Sequence, residues 1–156
     1  MPEYQLLDAT DKIFGRLCSQ VAKKALLGER IVVINAKDAI ISGNQSSIHE
    51  QNLAKLRIRT HFNPKWGPFH DRRPDTYMRR VIKQMLPRKK IRGKDALKRI
   101  HIYIEDIPER FKYRYQKLVP EQIYNADKSR LSYYNKYITL ENLCLRIGWN
   151  KKELEA

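Results

Sequence analysis

Residues 4–35, YQLLDATDKIFGRLCSQVAKKALLGERIVVIN, decide the fold of this chain. The first five of them predict a short strand, and the Thr10 hydroxyl is expected to cap the helix that follows. Apolar residues recur at helical spacing from Ile13 to Ala25, and Gly28 then stops the helix. Arg30 to Asn35 shows no polar alternation, which is typical of a strand covered on both faces. Strand, helix and strand together predict a βαβ unit.

A turn, a second helix and a long loop are predicted next. Ser42-Gly43-Asn44 forms the turn, because Gly and Asn tolerate positive φ. Ser47 and Glu50 have capping-box spacing for a helix that runs to about residue 58. Residues 61–74 contain three prolines, a glycine and three aromatic residues, so they cannot hold a regular hydrogen-bond ladder. This segment is expected to be an exposed loop.

A helix from Asp75 to Pro87 is predicted to face the core and a polyanion at once. Its apolar stripe includes Met78 and Ile82, whereas Arg79, Arg80 and Lys83 share another face. A basic linker at 88–94, a short helix through residue 99 and a strand at 100–104 follow. A last amphipathic helix is predicted for residues 139–147, before Gly148.

These elements predict an α/β fold, a three-layer α/β/α domain with a central, mainly parallel sheet of about four strands. Residues 1–105 are expected to form the core, with a basic segment at 61–99. Residues 106–156 are expected to form an irregular C-terminal extension with a terminal helix, packed on the core. The whole chain is interpreted as a single domain, consistent with its 156 residues.

The composition argues against several classes of protein. No apolar run reaches the roughly 18 residues of a membrane span, and the N-terminus does not resemble a signal peptide. Cys18 and Cys144 are far apart and outside any C-x-x-C motif, so neither a disulfide framework nor a thiolate metal site is expected. The four histidines show no metal-ligand spacing. We therefore expect a cytoplasmic protein with no membrane partner, no metal and no cofactor.

The charge distribution indicates a nucleic-acid partner. Between Lys65 and Arg99 lie 13 Lys and Arg residues and three acidic residues, so this segment carries +10 of the total net charge of +15. Lys and Arg neutralise phosphates, and Trp66, Phe69 and His70 are interleaved with them where they can stack on unpaired bases. RNA is the favoured ligand, although charge alone does not distinguish it from DNA. The alternative is a solvated basic face, which would normally mix both signs.

Four further interpretations are weaker. Binding of a dinucleotide cofactor is disfavoured, because the turn after the first strand, Asp8 to Lys12, lacks the G-x-G-x-x-G motif. A catalytic dyad of His70 and Asp71 is disfavoured, because the two are only neighbours on a Pro-rich loop. A two-metal nuclease is disfavoured because the sequence shows no carboxylate cluster for that chemistry. The Ser42-Gly43-Asn44 turn can direct N–H groups at a phosphate, although reversal of the chain is its favoured role.

Short motifs in a fixed order resemble one protein family across most of residues 6–104. They are Asp8-Ala9-Thr10, Gly15-Arg16-Leu17, Val32-Val33-Ile34-Asn35-Ala36, Ile41-Ser42-Gly43-Asn44, Gly67-Pro68-Phe69-His70, Arg79-Arg80-Val81, Met85-Leu86-Pro87 and Arg92-Gly93-Lys94. In this order they resemble the universal L-thirteen family of large-subunit ribosomal proteins. The Gly-Pro-aromatic-His loop and the Met-Leu-Pro-Arg-Lys stretch resemble its archaeal and eukaryotic type.

The resemblance implies a non-enzymatic, structural component of the large ribosomal subunit, located in the cytoplasm. It implies binding to large-subunit ribosomal RNA, contact with neighbouring large-subunit proteins, a role in early subunit assembly, and no small-molecule substrate. A free RNA-binding regulatory protein is the alternative, and a nucleic-acid-processing enzyme is less favoured. The residues expected to contact RNA are Ser42, Gly43, Asn44, Lys65, Trp66, His70, Arg72, Arg73, Arg79, Arg80, Lys83, Arg88, Lys89, Lys90, Arg92 and Lys94.

Overall fold

Four parallel strands form the centre of the fold in a computed structural model, which describes residues 4–115, 118, 120–121, 123–132 and 136–151. The strands are β1 (Tyr4–Asp8), β2 (Arg30–Ile34), β4 (Ile100–Ile102) and β5 (Pro120–Glu121), in the spatial order β4-β2-β1-β5. Leu6 pairs with both Val32 and Pro120, and Ile31 pairs with Ile100. The predicted parallel sheet of about four strands is confirmed. The predicted domain limits at residues 1 and 156 lie outside the described residues.

Helices cover both faces of this sheet. They are α1 (Phe14–Leu27), α2 (Gln45–Arg57), α3 (Pro74–Met85), α4 (Ile91–Lys98), α5 (Glu109–Tyr115) and α6 (Leu140–Arg146). Leu7 and Val33 belong to the main core with residues of α1, α3, α4 and α6. Leu6 and Val32 point to the opposite face and pack with Tyr115 of α5. Burial on both faces explains why the strands show no polar alternation, and the α/β/α class is confirmed.

The start of α1 differs from the prediction. Thr10 does not cap the helix, because its backbone N–H and its hydroxyl both donate to Oδ1 of Asp8, at 2.9 and 2.7 Å. The helix begins four residues later, after Ile13, whose side chain makes no cap hydrogen bond. The predicted stop at Gly28 is confirmed: its φ is 107°, and its N–H donates to the carbonyl of Ala25.

The Asp8 turn makes part of the stability pH-dependent. Burial raises the pKa of Asp8, but hydrogen bonds from Thr10 and Asn35 and the Lys12 ammonium outweigh burial and leave the pKa below its usual value. A lowered pKa in the folded state stabilises the fold above pH about 4, and this contribution is lost as the pH falls through the folded-state pKa.

We therefore expect Asp8→Asn to be less stable than the wild type at pH 7, and the difference to shrink toward pH 2. Urea unfolding of both proteins across this range measures the difference in unfolding free energy. A difference that stays constant over the whole range would show that the Asp8 charge is irrelevant to stability.

A second, two-stranded antiparallel sheet joins the C-terminal part of the chain to the core. It consists of β3 (Ile40–Ser42) and β6 (Tyr137–Thr139), and neither strand is predicted from the sequence. The helix α2 follows β3 directly, and its cap is Asn44, whose Oδ1 accepts a hydrogen bond from the Ser46 N–H at 3.2 Å. The capping box expected at Ser47 and Glu50 is wrong, because the helix has already begun there.

The predicted basic linker is partly helical. Residues 88–90 form a turn after Pro87, and α4 then begins at Ile91, so Arg92 and Lys94 lie on its first turn. The prediction of a linker through residue 94 is therefore wrong. Gly93 is a poor helix former, so local propensity does not predict a helix at this position. The helix forms because Gly93 is buried against the Pro87 turn.

Both cysteines are free and buried, and burial raises the pKa of each thiol to about 12. They therefore behave as small apolar residues. Among the described residues, no group of three or more His, Cys, Asp or Glu side chains is placed to hold a metal ion. Within the same residues, no helix is both long enough and apolar enough to cross a membrane.

Candidate nucleic-acid interface

The helix α3 carries the apolar and the basic face that its sequence predicts. Met78 and Ile82 are fully buried in the main core. Pro74 occupies the first helical position, where its missing N–H costs nothing. Arg79 and Lys83 lie on the side that faces α4, and the rigid packing of Met78 and Ile82 fixes their positions.

A groove of about 730 Å³ runs between α3 and α4. Its lining contains six cationic side chains and, within the part of the chain that the structure describes, no acidic one. These are Arg79, Lys83, Arg88, Lys89, Lys94 and Lys98. Leu86, Gly93 and Leu97 complete the lining. Like charges held this close repel one another, so the groove favours a polyanion.

A single glycine sets the width of the groove. A Cβ atom on Gly93 would lie 2.3 Å from the carbonyl oxygen of Pro87 and 2.7 Å from its carbonyl carbon. Both are backbone atoms, so they cannot rotate out of the way. Only glycine lets α4 approach the turn that carries Arg88 and Lys89.

Arg79 differs from the other cations because its guanidinium is already engaged. Nη1 donates to the carbonyl of Ile100 at 2.8 Å, and Nη2 donates to the carbonyl of Leu97 at 3.2 Å. The two bonds connect α3 to the end of α4 and the start of β4. Arg79 therefore fixes one wall of the groove, in addition to the charge that it contributes.

We expect Arg79→Met, which keeps the apolar stem and removes the donors, to lower the free energy of unfolding by about 1–3 kcal/mol. Lys83→Met is the matched control, because Lys83 is exposed on the same helix and makes no hydrogen bond within the described residues. Its expected change is below about 0.5 kcal/mol. Chemical denaturation compares the two, and equal losses would contradict the bracing role of Arg79.

The groove continues along α3 toward α2. A second depression of about 400 Å³ shares Arg79, Lys83 and Arg88 with it and adds Phe69 and Arg80. A third, of about 320 Å³, shares Arg80, Asp71 and Gln84 with the second. Together they form one strip from α4 to α2.

His70 lies at the α2 end of this strip. Burial lowers the pKa of its imidazole, and the nearby Arg80 and Lys55 cations lower it further, whereas Asp71 opposes them. The imidazole is therefore neutral at pH 7. Its Nε2 atom is buried and has no hydrogen-bond partner among the residues that the structure describes.

The loop before α3 exposes three large aromatic side chains. Phe62 is 98% exposed, Trp66 83% and Phe69 77%. Asn63 orders part of this loop, because its Oδ1 accepts from the Lys65 N–H at 3.1 Å. Aromatic faces that no apolar neighbour covers are suited to stacking on bases. The charge pattern of the sequence does not mark Phe62 as a candidate.

The Ser42-Gly43-Asn44 turn uses its polar groups internally. The Gly43 N–H, at φ 131°, donates to the carbonyl of Lys136 at 2.7 Å. Asn44 caps α2, and Ser42 pairs with Tyr137 in the small sheet. RNA contact by this turn stays a prediction, and the Gly43 N–H already has a partner.

The remaining predicted residues surround α3 and α4. Arg73 pairs with Asp75 at 3.1 Å, and a Cβ atom on Gly148 would lie 3.0 Å from Nη1 of Arg72. Lys90 and Arg92 are exposed at the start of α4. The structure also adds two cations that the site prediction omitted, Lys98 in the groove and Lys55 beside His70. Lys98 joins the groove because α4 follows α3 and lines it, and Lys55 joins the strip because α2, outside the basic segment, lies beside α3.

Within the described residues, the cations of the groove have fewer carboxylate partners than the cations on the rest of the surface. Pairs such as Lys12–Asp127, Lys37–Glu105 and Lys151–Glu141 neutralise cations elsewhere. In the groove Lys98 pairs with Asp95 at 3.4 Å. No carboxylate among the described residues pairs with Lys83, Arg88, Lys89 or Lys94. Four unpaired cations thus face one groove.

The fold and this surface define a class: a basic α/β/α protein with a cation-lined groove in which Lys83, Arg88, Lys89 and Lys94 have no carboxylate partner among the described residues. The family model described as Ribosomal protein L13 matches residues 3–109, which include the whole groove. The chain belongs to the ribosomal protein L13 family, a family of ribosomal proteins and not of enzymes.

Curated relatives agree with this assignment. The large ribosomal subunit protein uL13 of Methanopyrus kandleri is 42% identical over 147 residues, which cover 94% of this chain and 88% of that protein. The protein of the same name from Caenorhabditis elegans is 34% identical over 151 residues, 97% of this chain and 72% of that protein. The protein of the same name from Methanococcus maripaludis is 48% identical over 106 residues, which cover 67% of this chain and 76% of that protein. The resemblance to the archaeal and eukaryotic type is confirmed.

Proposed function

We propose that this protein is a structural component of the large ribosomal subunit, in the cytoplasm, and that it binds large-subunit ribosomal RNA through the α3–α4 groove. The observation that carries the proposal is the set of six cations that line one groove without an acidic residue. Names of the relatives support the subunit assignment, because each is called a large ribosomal subunit protein.

The groove would act by neutralising phosphates. RNA backbones crowd phosphates together, and each Lys or Arg that contacts one releases condensed counterions. Lys83 on α3 and Lys94 on α4 stand on opposite walls, so a strand in the groove meets cations from both sides. Contacts of this kind position the protein on RNA without reading sequence.

The exposed aromatic loop would add contacts to bases. Phe69 lines the strip and Trp66 is exposed three residues earlier on the same loop, and unpaired bases in folded RNA stack on such side chains. A protein that holds a backbone in its groove and bases on its loop pins separate RNA segments together. This is how we account for a role in early subunit assembly, next to neighbouring large-subunit proteins.

Sedimentation of the tagged protein from cell extract on a sucrose gradient tests the proposal. We expect the protein in the large-subunit peak after a high-salt wash, because extensive contacts outlast screening. Presence only in the light fractions would contradict the ribosomal role and favour a free RNA-binding protein.

A further inference from the structure

The depression at the α2 end of the strip is an open pocket that could receive a small planar group. Its volume is about 320 Å³, near the lower limit of about 300 Å³ for pockets that bind small molecules. Three apolar side chains, Leu56, Val81 and Ile147, line it together with polar ones. An apolar wall beside polar groups suits a planar heterocycle better than a bare anion.

Part of the polar lining is already rigid and satisfied. The Tyr77 hydroxyl donates to Oδ1 of Asn52 at 3.1 Å, and Nδ2 of Asn52 donates to the carbonyl of Ile48 at 2.8 Å. These bonds fix the floor of the pocket and tie α2 to α3. A ligand would therefore enter a preformed site, which reduces the entropy lost on binding.

Two other groups are left to recognise a ligand. The Nε2 atom of His70 is buried without a partner, which is a costly arrangement unless a ligand or a water molecule satisfies it. The carboxylate of Asp71 lines the same pocket and accepts hydrogen bonds. Asp71 also repels a phosphate from the interior, whereas Lys55 and Arg80 attract one to the edge.

The pocket opens onto the path of the RNA backbone. Arg80, Gln84 and Asp71 line both the pocket and the neighbouring depression, which in turn shares Arg79, Lys83 and Arg88 with the groove. A strand that leaves the groove along α3 therefore passes the mouth of the pocket.

We propose that this pocket holds the base of one unpaired RNA nucleotide, turned out of its stack, with His70 and Asp71 on its polar edge and its phosphate on Arg80 and Lys55. Asp71 favours a base with an exocyclic amino group, which offers two N–H donors where the N3–H of uracil offers one, so we infer adenine, cytosine or guanine. Extruded single-stranded bases are the usual targets of sequence-specific RNA recognition. The inference rests on the proposed function, because it requires RNA in the groove.

Chemical probing of in vitro transcribed large-subunit ribosomal RNA tests the pocket. Dimethyl sulfate modifies unpaired adenine and cytosine and kethoxal modifies unpaired guanine, while hydroxyl radicals report the backbone footprint. With saturating wild-type protein we expect reactive bases to become protected, among them the one base held in the pocket. With saturating His70→Phe, which keeps a ring but cannot hydrogen-bond, that base is reactive again although the backbone footprint remains.

Two further variants make the result specific. His70→Gln restores a polar group near the position of Nε2 and is expected to restore the protection. Lys83→Gln is the matched control: it weakens binding, but at saturation every protected base stays protected. We expect His70→Phe to bind about tenfold more weakly than His70→Gln. If His70→Phe does not fold, Asp71→Ala replaces it, because Asp71 is exposed at the pocket edge and its removal deletes the other acceptor on the polar edge of the base.

The outcomes separate the two claims. If the backbone footprint is present and His70→Phe and Asp71→Ala leave every base protection unchanged, the pocket holds no base and the inference is wrong. If the wild-type protein leaves no backbone footprint, the proposed function itself fails. A base that is protected only when the pocket is intact supports the inference.

Discussion

Changing Lys83, Arg88 and Lys94 together to Gln is expected to lower the affinity for large-subunit ribosomal RNA by roughly a hundredfold or more at about 0.1 M salt. All three side chains are exposed and line the groove, and no carboxylate in the described part of the chain pairs with them. Their removal therefore takes away three phosphate contacts and costs little stability. Filter binding measures the affinity, and thermal unfolding tests whether the fold is retained.

The control for this variant removes the same charge elsewhere. Lys23, Lys112 and Arg130 are exposed and lie outside the groove, and their joint change to Gln lowers the net charge equally. We expect its affinity to fall by less than about tenfold, because only long-range attraction is lost. Equal losses in the two variants would mean that total charge, and not the groove, binds the RNA.

Gly93→Ala is expected to lower both stability and RNA affinity, although it adds a single methyl group. The new Cβ would meet the backbone of Pro87 at 2.3 Å, so α4 must move away from the turn. Overpacking of this kind costs about 1–3 kcal/mol. The movement displaces Lys94 and Lys98 from Arg88 and Lys89 across the groove, so we expect RNA affinity to fall by at least about tenfold.

Gly15→Ala is the matched control, because nothing lies within 4 Å of a Cβ atom at that position and Gly15 is in the first turn of α1. Alanine is the better helix former, so this variant is expected to gain about 0.4–1 kcal/mol and to bind RNA as the wild type does. Urea unfolding and filter binding on both variants check the prediction. A stable Gly93→Ala protein with normal affinity would show that the close approach of α4 is unnecessary.

The parts of the fold that the sequence predicts are those that local patterns determine. The apolar spacing of α1 and the unbroken run of β2 depend on neighbouring residues, and both elements form as predicted except for the first residues of α1. Thr10 shows the limit of such patterns, since the Asp8 carboxylate two residues earlier competes for its donors. The strands β5 and β6 have two and three residues, too few to show a period, and exist only because distant strands pair with them.

The candidate site, like the fold, is only partly predictable from local sequence patterns. The charge count locates the basic segment, since thirteen cations cannot all be buried. It does not reveal which cations converge on one groove or that Arg79 is bound to two backbone carbonyls. Lys55 and Lys98 join the strip through the arrangement of α2, α3 and α4, and Phe62 lies before Lys65, outside the segment that the charge count marks. Tertiary packing supplies this information.

The most direct test of the central claim is the salt dependence of RNA binding by the wild-type protein and by the Lys83, Arg88 and Lys94 to Gln variant. If six groove cations contact phosphates, wild-type affinity falls about a thousandfold between about 50 and 200 mM salt. The variant is expected to have a log–log slope shallower by about 2–3, one unit or slightly less for each contact removed. A flat wild-type response, or equal slopes for the two proteins, would contradict RNA binding through this groove.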